Sequence, residues 1–307
     1  MPPFFPDISR DINSLLNRDF FHGAPLNVAV RTQTQNGAKF TVQAKQSAAR
    51  EGAVAPNTPA TAPTMPTAGP LLANIQGRWT DKASGVTVTP TWTTANQLTT
   101  RVELRKWVPG VTTELVARAA PGSRDPLPTL NVLSVSLLRP SVAAKLAARN
   151  ISAGAASLGV QLTVSHEKFL TGGELHYDVA KGRVSRYAVA LAYVGRGHTL
   201  TVSINDSQLT TASLFQRVSR DLDVGLRTTL NAGKLAPQSS TLQLAAKYKP
   251  DSTSQVKAKI ADTGKMSVSY CQDLKPGVTL GCGASLDTLH WDAQTVHKVG
   301  WSLTFNL

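Results

Sequence analysis

Basic side chains in this chain stand two residues apart. Lys257 and Lys259 do so, and Arg101 and Arg105, four apart with Glu103 midway between them, keep the same parity. In the run Lys39 to Lys45, Thr41 and Gln43 hold the same parity, while Phe40, Val42 and Ala44 hold the other. Residues two apart share one face of a β-strand. Arg31, Lys145, Arg227 and Lys247 sit in runs of the same kind. A cation-rich face repeated from strand to strand concentrates anions. Each such residue taken alone is a solvated charge; the set carries the function. Covalent chemistry finds no comparable footing. The six histidines, at 22, 166, 176, 198, 290 and 297, have no metal-ligand spacing with one another or with the two cysteines. There is no G-x-S-x-G, no phosphate-binding P-loop and no G-x-G-x-x-G. No enzyme activity, metal or cofactor is therefore expected, and Gly195-Arg196-Gly197 reads as a turn.

Charge balance points the same way. Lys plus Arg is 32 against 19 Asp plus Glu, a net +13. The partners of such a chain are polyanions: nucleic acid, acidic lipid, or small anions in a channel. The 307 residues suffice for one large domain or two small ones. The longest apolar stretch, LPTLNVLSVSLLRPSVAAKLAA, is broken by Arg139, Pro140 and Lys145, so no membrane-spanning helix is expected. A mean hydropathy of -0.11 looks soluble, yet a transmembrane β-barrel alternates its faces and averages out in the same way. The start, MPPFFPDISRDINSLL, lacks the basic and apolar regions of a secretory leader, and Asp7 and Asp11 are unlike a mitochondrial presequence. Cys271 and Cys282 flank Pro276-Gly277 with opposite parity, so no disulfide is expected.

The elements that must position these charges are of two kinds. Residues 1–24 read as an amphipathic helix. Asp7 is its expected N-cap, and Gly23 and Pro25 its expected end. Ile8, Ile12, Leu15 and Leu16 form one apolar stripe, opposite Arg10 and Arg18. From residue 25 the period becomes two and, residues 48–70 apart, stays so to residue 307. Turn signals such as Asn36-Gly37, Ser84-Gly85, Lys181-Gly182 and Thr263-Gly264 punctuate the runs. Residues 48–70 hold five of the 18 prolines and read as a low-complexity loop inserted in a hairpin. Setting aside the helix and the insertion, roughly 13–14 residues per strand and turn allow about 19 strands. An open sheet of that size would curl or split, and a soluble barrel of that size would enclose a lumen that side chains cannot fill. Turned inside out, with apolar residues to lipid and charges to a water-filled pore, the pattern is consistent. The fold expected is an all-β membrane protein, a single transmembrane barrel with the N-terminal helix inside the pore. A helix lying on the membrane surface is the rival placement for residues 1–24. Tyr187, Tyr193, Tyr248, Trp301 and Phe305 are expected near strand ends on the lipid face, as an interfacial girdle.

Three stretches carry a resemblance to the mitochondrial porins, the voltage-dependent anion channel family. PFFPDISRDINSLLNRDFFHG resembles the N-terminal segment of its fungal members. Residues 248–270 match its C-terminal signature at Tyr248, Asp251, Ser252, Ser254, Ala258, Lys259, Ile260, Ala261, Asp262, Ser267, Val268 and Tyr270. LKPGVTLG and HKVGWSLTF complete the match. The family is itself a 19-strand case, so count and resemblance are not independent. The resemblance implies a voltage-gated, weakly anion-selective channel of the mitochondrial outer membrane that passes ATP, ADP, phosphate and other small metabolites, with residues 1–24 as the gate. It implies membrane lipid and the barrel-assembly machinery as partners, leaves a homo-oligomer open, and implies no nucleic-acid partner. Lys298, Gly300, Leu303 and Phe305 resemble the sorting signal of mitochondrial barrels. Arg10 and Arg18 replace lysines that the family uses toward nucleotide, and the stretches 265–267 (Lys265, Met266, Ser267) and 283–287 (Gly283, Ala284, Ser285, Leu286, Asp287) match its dinucleotide contacts. The family's animal members carry a lipid-facing Glu where this chain has Pro90, and Pro90 is expected to force a β-bulge. The rival functions are the protein-import pore of the same fold and a soluble basic β protein that binds nucleic acid.

Overall fold

A computed structural model describes residues 1–46, 69–121, 129–151, 156–231, 240–289 and 297–307. The expected insertion at 48–70 falls almost wholly outside them, as does His290. Nineteen strands follow one short helix, α1 (Arg10–Asn17). They are β1 (Leu26–Gln33), β2 (Lys39–Gln46), β3 (Leu71–Thr80), β4 (Val86–Thr93), β5 (Gln97–Leu104), β6 (Val111–Ala119), β7 (Thr129–Leu138), β8 (Val142–Arg149), β9 (Ser157–His166) and β10 (Phe169–Asp178). Then come β11 (Arg183–Val194), β12 (His198–Asn205), β13 (Leu209–Arg217), β14 (Leu222–Asn231), β15 (Ser240–Tyr248), β16 (Ser254–Ala261), β17 (Lys265–Lys275), β18 (Val278–Asp287) and β19 (Lys298–Asn306). Arg139 and Pro140 stand at the turn of the β7–β8 hairpin, so the longest apolar stretch is two strands.

Each strand pairs antiparallel with its chain neighbours, and β1 closes the ring on β19. That last pairing is parallel, from Leu26↔Trp301 to Arg31↔Asn306. It has to be: in an odd-numbered ring of antiparallel neighbours, the first and last strands run the same way. Closure leaves no sheet edge, the condition for a strand structure to sit in hydrocarbon.

The two faces are inverted relative to a soluble protein. On β9, Leu162 is 48% exposed while its neighbour Thr163 is fully buried. Val189 and Leu191 on β11 face out at 57% and 51%, with Ala190 and Ala192 buried inside. Exposed apolar rows of this kind fit lipid and exclude the soluble reading. All five girdle aromatics share the outward parity. Tyr248 ends β15, whereas Trp301 lies inward from the start of β19, opposite the first residue of β1. A charge placed on the outer face should be costly. Leu244→Arg, mid-strand on β15, is expected to cost about 2–4 kcal/mol. Gln243→Arg, on the inner face next to it, is expected to cost under about 1 kcal/mol. Urea unfolding of the barrel in lipid vesicles reads the difference; equal costs would contradict the assignment of faces.

Pro90 does not bulge its strand. Its pairing with Thr100 on β5 is kept. Toward β3, the pairs Gln76↔Thr91 and Trp79↔Val88 flank two missing rungs, with no change of register. A bulge needs an extra residue, and β4 has none. Proline simply lacks the N–H that a rung requires. It sits opposite Gly77, where a Cβ would already stand 3.7 Å from the proline Cγ.

Candidate functional site

The lumen is built from inward parity. Arg31, Lys39, Lys45, Arg101, Lys145, Arg227, Lys247, Lys257 and Lys259 all lie on the inner face, in step with inward residues such as Ala29, Thr89, Ala143, Ala147 and Ala245. Arg105 lies past the end of β5, on the rim, 2.7 Å from Glu103. Carboxylates share out these cations, and sequence reading missed two of them, Glu114 and Glu174. Glu114 takes Arg101 at 3.0 Å and Lys145 at 3.6 Å. Asp223 takes Arg217 at 3.4 Å and Lys247 at 3.6 Å. Glu174, itself buried, takes Arg186 at 3.2 Å. It also missed Arg78 and Arg118, which with Arg101, Arg149 and Glu103 line a recess of about 670 Å³ open to the lumen. Parity within NIQGRW and VTTELVARA was the signal that would have found them.

The helix is shorter than its sequence suggests. Asp7 does not cap it: Asp7 closes a separate 3-10 turn (Phe5–Asp7), and α1 starts after Ser9, whose side chain makes no capping bond. Asp7 instead lines a gap of about 200 Å³ with Lys145 and Arg149. Nor do Gly23 and Pro25 end it. The helix stops at Asn17, and Asp19 turns the chain with φ 62°. Aspartate tolerates that region because its short polar side chain bonds locally. Eight residues are too few for a helix to persist unaided in water. The wall supplies what is missing. Ile12, Leu15 and Leu16 are buried against Ala245 and Phe215, and Ile8 against Ala190, Ala192 and Leu170. Arg10 is exposed, and the Arg18 side chain is 73% exposed.

Two wall lysines cap the helix from outside its own sequence. Lys257 Nζ donates to Asp19 Oδ2 at 2.9 Å, to the Arg18 carbonyl at 3.1 Å and to the Ser14 carbonyl at 3.4 Å. Lys259 Nζ donates to the Leu16 carbonyl at 3.1 Å and stands 4.4 Å from the centre of the Phe20 ring. Cations at a helix C-terminus meet unsatisfied carbonyls and the negative end of the dipole. Arg227 donates to the Asn13 side chain. The chain then leaves through a 3-10 turn (Phe21–Gly23) against β18 and β19. There His22 is held below its ordinary pKa by burial and by Lys259 and Lys298, which favours the neutral ring.

The remaining candidates separate by parity. Lys265, Ser267, Ser285 and Asp287 point inward, with Ser267 donating to Ser285 at 3.1 Å. Met266, Ala284 and Leu286 lie on the outer face, and Gly283 is covered from inside by the backbone of Phe21. Lys298 and Gly300 face the lumen, while Leu303 and Phe305 face lipid. Cys271 shares the inner face with Ser269, and Cys282 the outer face with Trp301; both are free. No described helix is long and apolar enough to span a membrane.

Known proteins match this arrangement along its whole length. Non-selective voltage-gated ion channel 1 of Saccharomyces cerevisiae is 37% identical over 305 residues, covering 99% of each chain. The mitochondrial outer membrane protein porin of Candida albicans is 33% identical, again over 99% of each. The voltage-dependent anion-selective channel of Drosophila melanogaster is 23% identical over 98% of each. Among solved structures, a variant of the Rh. blastica porin superposes with a TM-score of 0.51 at 12% identity, over 71% of this chain and 91% of that one. That likeness concerns the fold alone. The family model described as eukaryotic porin matches residues 1–300, and the chain, a closed barrel with its own N-terminal segment seated in the lumen, belongs to that family.

Proposed function

We propose that this chain is a voltage-gated, weakly anion-preferring channel of the mitochondrial outer membrane, with ATP, ADP, phosphate and other small anions as permeants. One observation carries the reading: a short helix is seated in a closed barrel whose inner face is rich in Lys and Arg. The preference is weak because the lumen is wide, charges are partly paired, and screening at physiological salt acts over ~8 Å. Residues 1–24 form the gate and 25–307 the barrel. Closure moves the helix off the β13–β15 wall, and its departure changes both the bore and the charge within it. Lys298, Gly300, Leu303 and Phe305 serve as the signal read by the assembly machinery, which would pair with β19 before β1 closes on it. Arg10 on the helix and Arg18 just past its end, both exposed, and Lys265 on β17, next to the β16 lysines that hold the helix, are the cations offered to nucleotide phosphates; arginine keeps the charge of lysine but adds a planar fork. The test uses vesicles holding ATP and a large dextran. Reconstituted protein should release the ATP and retain the dextran. Retention of both would sink the proposal, and so would loss of both, which marks a leak rather than a pore of this bore.

A further inference from the structure

The N-terminal segment crosses the wall where the wall has no side chains. Gly281 and Gly283 on β18 and Gly300 on β19 all face inward, and Gly283 pairs with Gly300 across the two strands. Residues 21–24 lie directly on them. A Cβ built on Gly300 would fall on the carbonyl oxygens of Phe21 and Ala24. On Gly283 it would stand 2.9 Å from the Phe21 nitrogen and 3.2 Å from the His22 nitrogen. On Gly281 it would collide with the edge of the Phe21 ring, at Cζ and the two Cε atoms. None of the three has a positive φ, so their backbone conformation does not call for glycine. The close approach of the crossing segment does.

We propose that Gly281, Gly283 and Gly300 are positioning residues for the gate: a saddle that fixes where the segment leaves the wall, and so where α1 can sit. Gly300 then has a role in the finished channel that is separate from its place in the sorting signal. The saddle treats its three members differently. Gly283 and Gly300 meet backbone, which cannot be trimmed. Gly281 meets a side chain, which can. The consequence for voltage closure rests on residues 1–24 being the gate; the seating of the segment does not.

The experiment refolds the full-length chain directly into lipid vesicles, which bypasses cellular assembly, and reads amide hydrogen exchange together with closing voltage. Gly283→Ala and Gly300→Ala should each raise exchange of residues 10–24 by about tenfold or more, leave β5–β8 unchanged, and lower the closing voltage. Gly173→Ala, whose added Cβ would meet only the Ala188 carbonyl at 3.7 Å, should change nothing. Gly281→Ala should raise exchange in the native background and add nothing in a Phe21→Ala background, because the clash has gone. Unchanged exchange in Gly283→Ala would overturn the saddle. So would loss of protection throughout β5–β8, since the glycines would then serve the wall itself, or an effect of Gly281→Ala that ignores Phe21. Faster exchange with an unaltered closing voltage would leave the saddle standing and remove the gate.

Discussion

Replacing Arg78, Arg118 and Arg149 together by glutamate is expected to turn the channel from anion-preferring to cation-preferring. The three line the recess on the β3–β8 wall, where five cations stand against two carboxylates. After the change, two cations would stand against five. Arg101 and Lys145, which hold Glu114, are left in place, so the ion pairs of the wall survive. A permeant ion passing within a Debye length of ~8 Å meets the reversed charge only partly screened. The reversal potential in a salt gradient should change sign. The same three-charge reversal at Lys82, Arg196 and Arg220, in the turns of the rim, should shift it by a fraction of that amount. Equal shifts would mean that net charge, not lumen placement, sets the preference.

The second large effect is expected at the two lysines that cap α1. Lys257→Met with Lys259→Met keeps the apolar stems and removes four hydrogen bonds to the helix end and to Asp19. The Lys257 side chain is only 3% exposed, so its bonds are sheltered. Hydrogen bonds to charged groups contribute ~1.5–3 kcal/mol each when buried; a wet lumen puts the whole set at about 2 kcal/mol. Moving one charge through 100 mV is worth ~2.3 kcal/mol. The closing voltage should therefore fall by tens of millivolts, on the order of the ratio of these two energies. Lys247→Met is the control. It loses a wall cation paired with Asp223 and has no bond to the helix, so it should alter selectivity and leave the closing voltage alone. If Lys247 and Lys257 behave alike, the cap is not what holds the helix.

The barrel was legible because a strand declares itself locally. Each run states its own two faces, and the apolar stretch of β7 and β8 resolves once Arg139 and Pro140 are read as a turn. The helix was legible as a stripe but not in its limits. Asp7, Gly23 and Pro25 are sound local punctuation, yet the C-terminal end is set by Lys257 and Lys259, more than 230 residues away in the chain. No spacing rule reaches that far. The same holds for Glu114, whose partners Arg101 and Lys145 come from two other strands, and for the glycines under Phe21, which look like ordinary strand interruptions until the crossing segment is placed on them. Pro90 misled because a proline in a strand has two remedies, an added residue or a dropped rung, and only the register tells them apart.

Ionic current through the unmodified chain in a planar bilayer, under a salt gradient and a slow voltage ramp, tests the central claim most directly. A large conductance at low voltage is expected, with a reversal potential displaced modestly toward that of the anion and a fall in current at both polarities. A current that stays ohmic across the ramp, or a reversal potential on the cation side, would contradict it.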